Sequence, residues 1–117
     1  MRKVAVILAL AATVLSFAPA RALSGVVYIY DFHFTPGAVT RGKAVKFTNL
    51  EAGGGYYGIP HQPAYPVGCT TSCVWSSPPL RVGSISASVK ITLPPGTYTY
   101  YCKIHHYMRG RLVVSKV

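Results

Sequence analysis

Acidic residues are almost missing from this chain of 117 residues. Asp31 and Glu51 stand alone against 12 Lys and Arg, and the formal net charge is +10. Hydrolysis by general acid–base chemistry usually needs a pair of carboxylates, or a carboxylate that orients a histidine. Two acids leave little from which to build either arrangement, so the composition argues against a hydrolase. The basic excess favours acidic partners, but the basic residues are spread singly along the sequence, which does not favour nucleic acid.

Helical periodicity is also missing, and strand patterns separated by glycine and proline take its place. Phe32 and Phe34 continue the alternating face that Tyr28 and Tyr30 begin, and the segment from 51 to 84 shows little alternation and predicts a long loop region. Several short strands in one small domain predict an antiparallel β-sandwich. The predicted strands cover residues 25–31, 44–49, 87–93, 97–102 and 111–115.

The amino terminus has the order of a secretory signal peptide: a basic start, an apolar stretch and small residues. The apolar stretch runs from Val4 to Ala12, and Ala20 and Ala22 form an A-x-A cleavage pattern. We therefore expect a signal peptide over residues 1–22, a single domain over 23–117, and export to the periplasm or the extracellular space. A retained membrane anchor is the alternative, because the stretch is of borderline length for a span; the helix-breaking Pro19 favours cleavage.

The chain has only three cysteines, Cys69, Cys73 and Cys102. In an exported protein, closely spaced cysteines form disulfides, and we predict one between Cys69 and Cys73; a second metal site at this pair is the alternative. Cys102 is left without a partner and needs a different role.

A copper-binding pattern surrounds this third cysteine. Cys102, His105 and Met108 form a Cys-x-x-His-x-x-Met sequence between two predicted strands. Thiolate, imidazole and thioether donors together suit copper better than zinc or magnesium. Two histidines and one cysteine with a weak axial methionine make the blue-copper site of electron-transfer proteins, so the pattern requires one more histidine.

His61 is the predicted second histidine of this site. His33 alternates with Phe32 and Phe34 and should point away from the face that they share, whereas His106 adjoins His105 and should leave the loop in another direction. The predicted metal ligands are thus His61, Cys102, His105 and Met108, binding one copper ion that cycles between Cu(I) and Cu(II).

The sequence resembles the cupredoxins, and within them the branch that includes plastocyanin and amicyanin. The ligand loop with Pro60-His61 is the specific part of the resemblance, and its short His-to-Met spacing is similar to amicyanin. Gln62 stands where the family often has an Asn that ties the ligand loops together, and Ile104 stands where a Pro is frequent. The Cys69/Cys73 pair is outside the common pattern. The remaining matches are Phe34-Thr35-Pro36, Thr48-Asn49 and Pro95-Gly96-Thr97-Tyr98.

This resemblance implies a Greek-key β-sandwich and a soluble, monomeric, non-enzymatic electron carrier. It also implies that the outer edge of His105 serves as the electron port within an apolar patch; the candidates for that patch are Ile59, Pro60, Ile104 and Tyr107. We expect an acidic redox partner, no nucleic acid, and contact with anionic membrane surfaces as a further option. An exported copper carrier with the same ligands is the alternative function. A copper oxidase or reductase is disfavoured, since it needs a second copper site and only His33 and His106 are spare.

Overall fold

The computed structural model describes residues 25–51, 58–81 and 86–117, which form nine strands and no helix. The strands pack as two sheets, with the order β2-β1-β4-β7 in one and β3-β9-β8-β5-β6 in the other. The predicted all-β sandwich is confirmed. The strands are β1 Val26–Tyr30, β2 His33–Phe34, β3 Gly37–Thr40, β4 Ala44–Asn49, β5 Pro63–Tyr65, β6 Trp75–Ser76, β7 Ser86–Lys90, β8 Gly96–Cys102 and β9 Arg109–Ser115.

Residues 1–24 lie outside the described ranges, and so do 52–57 and 82–85. The signal peptide predicted over 1–22 therefore stays a prediction, together with the domain boundary after it. Among the described residues, no helix is long and apolar enough to span a membrane.

The core forms because alternate residues of each strand face the opposite sheet. In β9, Gly110, Leu112 and Val114 are buried, whereas the residues between them are exposed or partly exposed. In β4, Val45 and Phe47 are completely buried, whereas Ala44 and Lys46, which alternate with them, are exposed. Burial of one such aliphatic or aromatic side chain contributes about 1.5–3 kcal/mol, so the alternation seen in the sequence accounts for how the sheets face each other.

Two strand pairs are parallel, which the expectation of an antiparallel sandwich did not include. β1 runs parallel to β4, and β3 runs parallel to β9. The other pairs are antiparallel, including the long pairing of β8 with β9. Parallel neighbours need a connection that leaves the sheet and returns to it. Between β1 and β4 the chain forms β3 in the other sheet, and between β3 and β9 it forms β4 and β7 in the other sheet.

The expected continuous face from Tyr28 to Phe34 is wrong. Asp31 and Phe32 have left-handed backbone angles, with φ of 52° and 56°, and they end β1 in a turn. Tyr28 and Tyr30 are exposed, and the buried face of β1 carries Val27 and Ile29 instead. The turn contains no glycine or asparagine, the residues that favour such turns. The alternating sequence pattern therefore shows no break at this position.

The segment predicted as a long loop is partly built into the sheet. β5 pairs with β8 and with β6, and His61 forms an isolated bridge with Leu80. This pairing places His61 beside the end of β8, where Cys102 lies. We call this end of the sandwich the metal pole.

Candidate metal centre

Three side chains with metal-binding atoms meet at the metal pole: His61, Cys102 and His105. Their donor atoms all lie within 4.8 Å of one another. The Cys102 Sγ is 3.8 Å from Nδ1 of His61 and 4.0 Å from Nδ1 of His105. β8 delivers Cys102 at its last residue, the following loop returns His105, and the bridge to Leu80 holds His61 in place.

Glu51 determines which nitrogen of His61 faces this cluster. Oε2 of Glu51 lies 3.0 Å from Nε2 of His61, and both side chains are buried. A carboxylate only accepts, so the Nε2–H donates to it and the lone pair is on Nδ1. Burial lowers the pKa of His61 from its usual value; the hydrogen bond to Glu51 opposes that shift, and His105 adds to it. The resulting neutral imidazole is the form that binds a metal ion.

Asn49 fixes the position of Glu51 and of the His61 segment. Its side-chain amide donates to the carbonyl oxygens of Ile59 and Leu80 at 2.9 Å and 2.8 Å, and its Oδ1 accepts from the amide of Glu51. The last residue of β4 therefore holds both segments that flank His61. Buried polar groups that are fully bonded in this way give one arrangement of the surrounding chain.

Gln62 joins the two ligand loops, a role that the resemblance to the cupredoxins implies for an Asn side chain. The Gln62 amide donates to Sγ of Cys102 at 3.3 Å, and its carbonyl accepts from the amide of Lys103 at 2.9 Å. Its side chain turns aside to the carbonyl of Ser77. The connection is thus made by main-chain atoms, which glutamine supplies as well as asparagine does.

The sulfur of Cys102 accepts a second amide hydrogen bond, from His105 at 3.4 Å. The two amides, from Gln62 and His105, help to fix the position of the sulfur at the end of β8. Hydrogen bonding around the cysteine sulfur is also a means by which proteins tune the reduction potential of a copper site.

Phe32 covers the two histidines. Its ring meets His61 and His105 edge to face, with centroid distances of 5.7 Å and 5.2 Å. The Phe32 amide donates to the same Glu51 oxygen that accepts from His61, at 2.9 Å. Left-handed backbone angles at non-glycine residues store strain that the surroundings must hold, and this hydrogen bond is one of the contacts that hold it.

Met108 is buried in the same loop, with 2% of its surface exposed. Its amide donates to the carbonyl of His105 at 2.9 Å, and its carbonyl accepts from the amide of Cys102. These bonds close the loop between β8 and β9. The axial role of Met108 toward a metal stays a prediction.

The other predicted residues lie outside the cluster. His33 and His106 are exposed. Cys69 and Cys73 form a disulfide, as predicted. The hydroxyl of Tyr101 donates to the carbonyl of Cys69, so the disulfide loop packs on the strand that carries Cys102.

The donor set fits copper. A metal ion bound to sulfur and imidazole at about 2.0–2.3 Å leaves its donors about 3.5–4 Å apart, and the two measured sulfur–nitrogen separations are 3.8 Å and 4.0 Å. Two imidazoles and one thiolate are the donors of blue-copper sites.

Solved structures with the same fold include copper proteins. An amicyanin mutant in its oxidised state is 26% identical over 89% of this chain and 88% of its own, with a TM-score of 0.59. A reduced amicyanin mutant is 28% identical over 77% of this chain and 80% of its own, with a TM-score of 0.58. A purple cupredoxin from Nitrosopumilus maritimus is 21% identical over 79% of this chain and all of its own, with a TM-score of 0.60. No family model and no curated protein matches the chain.

Sequence reasoning missed Glu51, Asn49 and Phe32 as parts of the site. Glu51 is one of the two acids whose scarcity argues against a hydrolase. Its buried carboxylate, ten residues before His61, is the hydrogen-bond partner of the His61 ring. One signal was present in the sequence: one of only two acids in the chain lies two residues after a predicted strand and ten residues before the predicted ligand His61.

Proposed function

We propose that this chain, which shares its fold with solved amicyanin and purple cupredoxin structures and brings two histidines and one cysteine together, binds one copper ion and transfers single electrons. The observation that carries the proposal is the convergence of His61, Cys102 and His105 in one cluster at the metal pole, with His61 and Cys102 buried and His105 partly exposed. The similar solved structures include amicyanin mutants in an oxidised and in a reduced state, at 26% and 28% identity, which supports a redox role.

Copper supplies the one-electron couple between Cu(II) and Cu(I). The protein's part is to hold the donors in one place in both states. His61 is fixed by Glu51 and by the bridge to Leu80, and Cys102 is fixed at the end of β8 with two amides on its sulfur. Donors that are held by the surrounding protein move little between the two oxidation states. A change in the charge of the copper ion would therefore require little rearrangement of the site.

His105 is the ligand through which electrons would pass to a partner. It is partly exposed, whereas His61 and Cys102 are completely buried. Ile104 and Tyr107 beside it are 41% and 68% exposed. An apolar surface around an exposed ligand edge suits brief contact with a redox partner, because such a surface excludes water without requiring a fixed set of ion pairs. The expected acidic character of that partner stays a prediction.

The test is the visible spectrum of the protein with Cu(II) added. We expect an intense blue thiolate charge-transfer band that disappears in Cys102→Ser. The neighbouring histidines provide a matched pair: His105→Asn should abolish or strongly shift the band, and His106→Asn should leave it unchanged, since His106 is exposed and outside the cluster. A protein without the band, or a band that survives Cys102→Ser, would rule out the proposal.

A copper carrier would use the same ligands, and a redox titration separates the two functions. An electron carrier should show reversible oxidation and reduction with the copper retained, also in the presence of a competing chelator. Rapid loss of copper to the chelator in either redox state, with no reversible couple, would favour the carrier.

A further inference from the structure

The fold collects basic residues at the end of the sandwich opposite the metal pole. Four exposed side chains are found there: Arg41, Lys43, Lys90 and Lys116. They are spread singly along the sequence, and the pairing of strand ends brings them together. We call this end of the sandwich the distal pole.

Backbone hydrogen bonds between adjacent segments establish how close these residues are. The amide of Arg41 donates to the carbonyl of Ser115, the residue before Lys116, at 2.9 Å, and the amide of Ile91, the residue after Lys90, donates to the carbonyl of Lys43 at 3.0 Å. Lys90 is the register partner of Ala44, the first residue of β4. All four cations therefore project from segments that are bonded directly to one another.

No acidic side chain offsets this charge, because both acids of the chain lie at the metal pole. Glu51 is buried against His61, and Asp31 is in the turn that follows β1. The metal pole also carries Arg81, Lys103 and Arg109, so positive and negative side chains nearly balance there.

The charges at the distal pole have little effect on a surface that approaches the metal pole. The seven residues of β8 run most of the length of the sandwich and span about 23 Å at about 3.3 Å per residue. The Debye length is about 8 Å at physiological ionic strength. An acidic surface is thus attracted to the distal pole, and that attraction does not bring it to His105.

We propose that the distal pole binds an anionic membrane surface and leaves the metal pole facing outward. Each Lys or Arg near an anionic leaflet contributes about 1 kcal/mol to binding. Exposed Pro94, Pro95 and Val117 lie at the same pole and give it apolar atoms suited to the interface.

The distance between the poles favours a membrane over an acidic redox protein as the partner, on the premise of the proposed electron transfer. A redox partner has to reach the exposed edge of His105, whereas a protein held at the distal pole would be about 23 Å of strand away from it. A membrane needs no access to the metal, and contact with it at the distal pole leaves His105 free for a redox partner.

The experiment compares two variants with the same change of charge. The first is Lys43→Gln with Lys90→Gln and Lys116→Gln, at the distal pole. The control is Lys46→Gln with Arg81→Gln and Arg111→Gln, which are exposed and lie elsewhere. Arg41 is retained because its Nε donates to the carbonyl of Thr92. Sedimentation with phosphatidylcholine vesicles, with and without phosphatidylglycerol, measures binding at low and high salt.

We expect the unmodified protein to bind vesicles that contain phosphatidylglycerol and to release them at high salt. The distal variant should bind on the order of a hundredfold more weakly, and the control less than about tenfold more weakly. Both variants keep the same amino terminus, so any contribution from it is common to them.

Equal weakening in the two variants would overturn the proposal, since only total charge would then matter. Equal binding to vesicles with and without phosphatidylglycerol would also overturn it. So would binding of an acidic protein to the distal pole without any binding to vesicles that contain phosphatidylglycerol. The apo- and copper-loaded proteins should bind vesicles alike, so a failure of the copper proposal would show in the spectrum and not in this assay.

Discussion

Replacing Glu51 with glutamine should weaken copper binding by about 10- to 100-fold, because a partner that orients a metal-binding histidine typically contributes this much. Glu51 Oε2 accepts from Nε2 of His61 and from the amide of Phe32, at 3.0 Å and 2.9 Å. Glutamine has nearly the same shape and keeps one accepting oxygen, but it loses the charge.

The hydrogen bonds lead to the same magnitude. A hydrogen bond to a charged group contributes about 1.5–3 kcal/mol, and a neutral one about 0.5–1.5 kcal/mol. Loss of the charge therefore costs about 1–1.5 kcal/mol for each of the two bonds. The two bonds together come to about 2–3 kcal/mol, which overlaps the range of about 1.4–2.7 kcal/mol that a 10- to 100-fold loss of affinity corresponds to.

Asp31→Asn is the matched control, because Asp31 is the only other acid in the chain and lies at the same pole. It removes the same charge, and its side chain is exposed, unlike that of Glu51, which is buried against His61. Competition between the protein and a copper chelator of known affinity gives the dissociation constant of each variant. Glu51→Gln should weaken binding at least tenfold more than Asp31→Asn does.

Two results would refute this reasoning. Equal losses in both variants would mean that general charge, and not the hydrogen bond to His61, matters at the site. An affinity for Glu51→Gln within about twofold of the original protein would mean that the carboxylate does not orient the ring. Glu51→Ala should additionally lower the free energy of unfolding of the apo-protein by about 1–3 kcal/mol or more, since it leaves the buried Nε2–H of His61 and the partly buried amide of Phe32 without their acceptor.

Three further predictions concern stability, each measured by urea unfolding of the apo-protein. Gly110→Ala should destabilise by about 1–3 kcal/mol or more, because an added Cβ would overlap the ring of Tyr100, its partner across β8 and β9; unchanged stability would contradict this packing. Tyr100→Phe should stabilise by about 1 kcal/mol, because the hydroxyl is buried without a hydrogen-bond partner among the described residues; a loss of stability would indicate a partner. Cys69→Ser with Cys73→Ser should destabilise by about 2 kcal/mol and leave the blue band intact; loss of the band would mean that the disulfide loop shapes the metal site.

Much of the fold could be predicted from the sequence, because the patterns that indicate a strand lie within the strand itself. The alternation over β4 and the tyrosine-rich run over β8 are properties of neighbouring residues, and each of those strands forms close to where the pattern placed it. Short strands without a clear pattern, such as β3 and β5, form because a neighbouring strand provides partners for their backbone groups. Pairing of that kind leaves little trace in the residues themselves.

Within the site, the sequence alone determined what depends on spacing. Cys102 and His105 lie in one tight loop, so a three-residue separation already brings thiolate and imidazole together. The unpaired third cysteine pointed to the same position. The cluster then required a histidine from elsewhere, and His61 occupies that place.

Only the tertiary structure decided which distant groups meet. Glu51 reaches His61 because Asn49 and Leu80 hold the intervening segment, and Phe32 covers both histidines because two left-handed residues turn the chain there. The basic residues form a pole because strand ends from separate parts of the chain lie side by side. Contacts of this kind depend on how strands pair across the sandwich, and that pairing is set by the whole chain at once and not by any one stretch of residues.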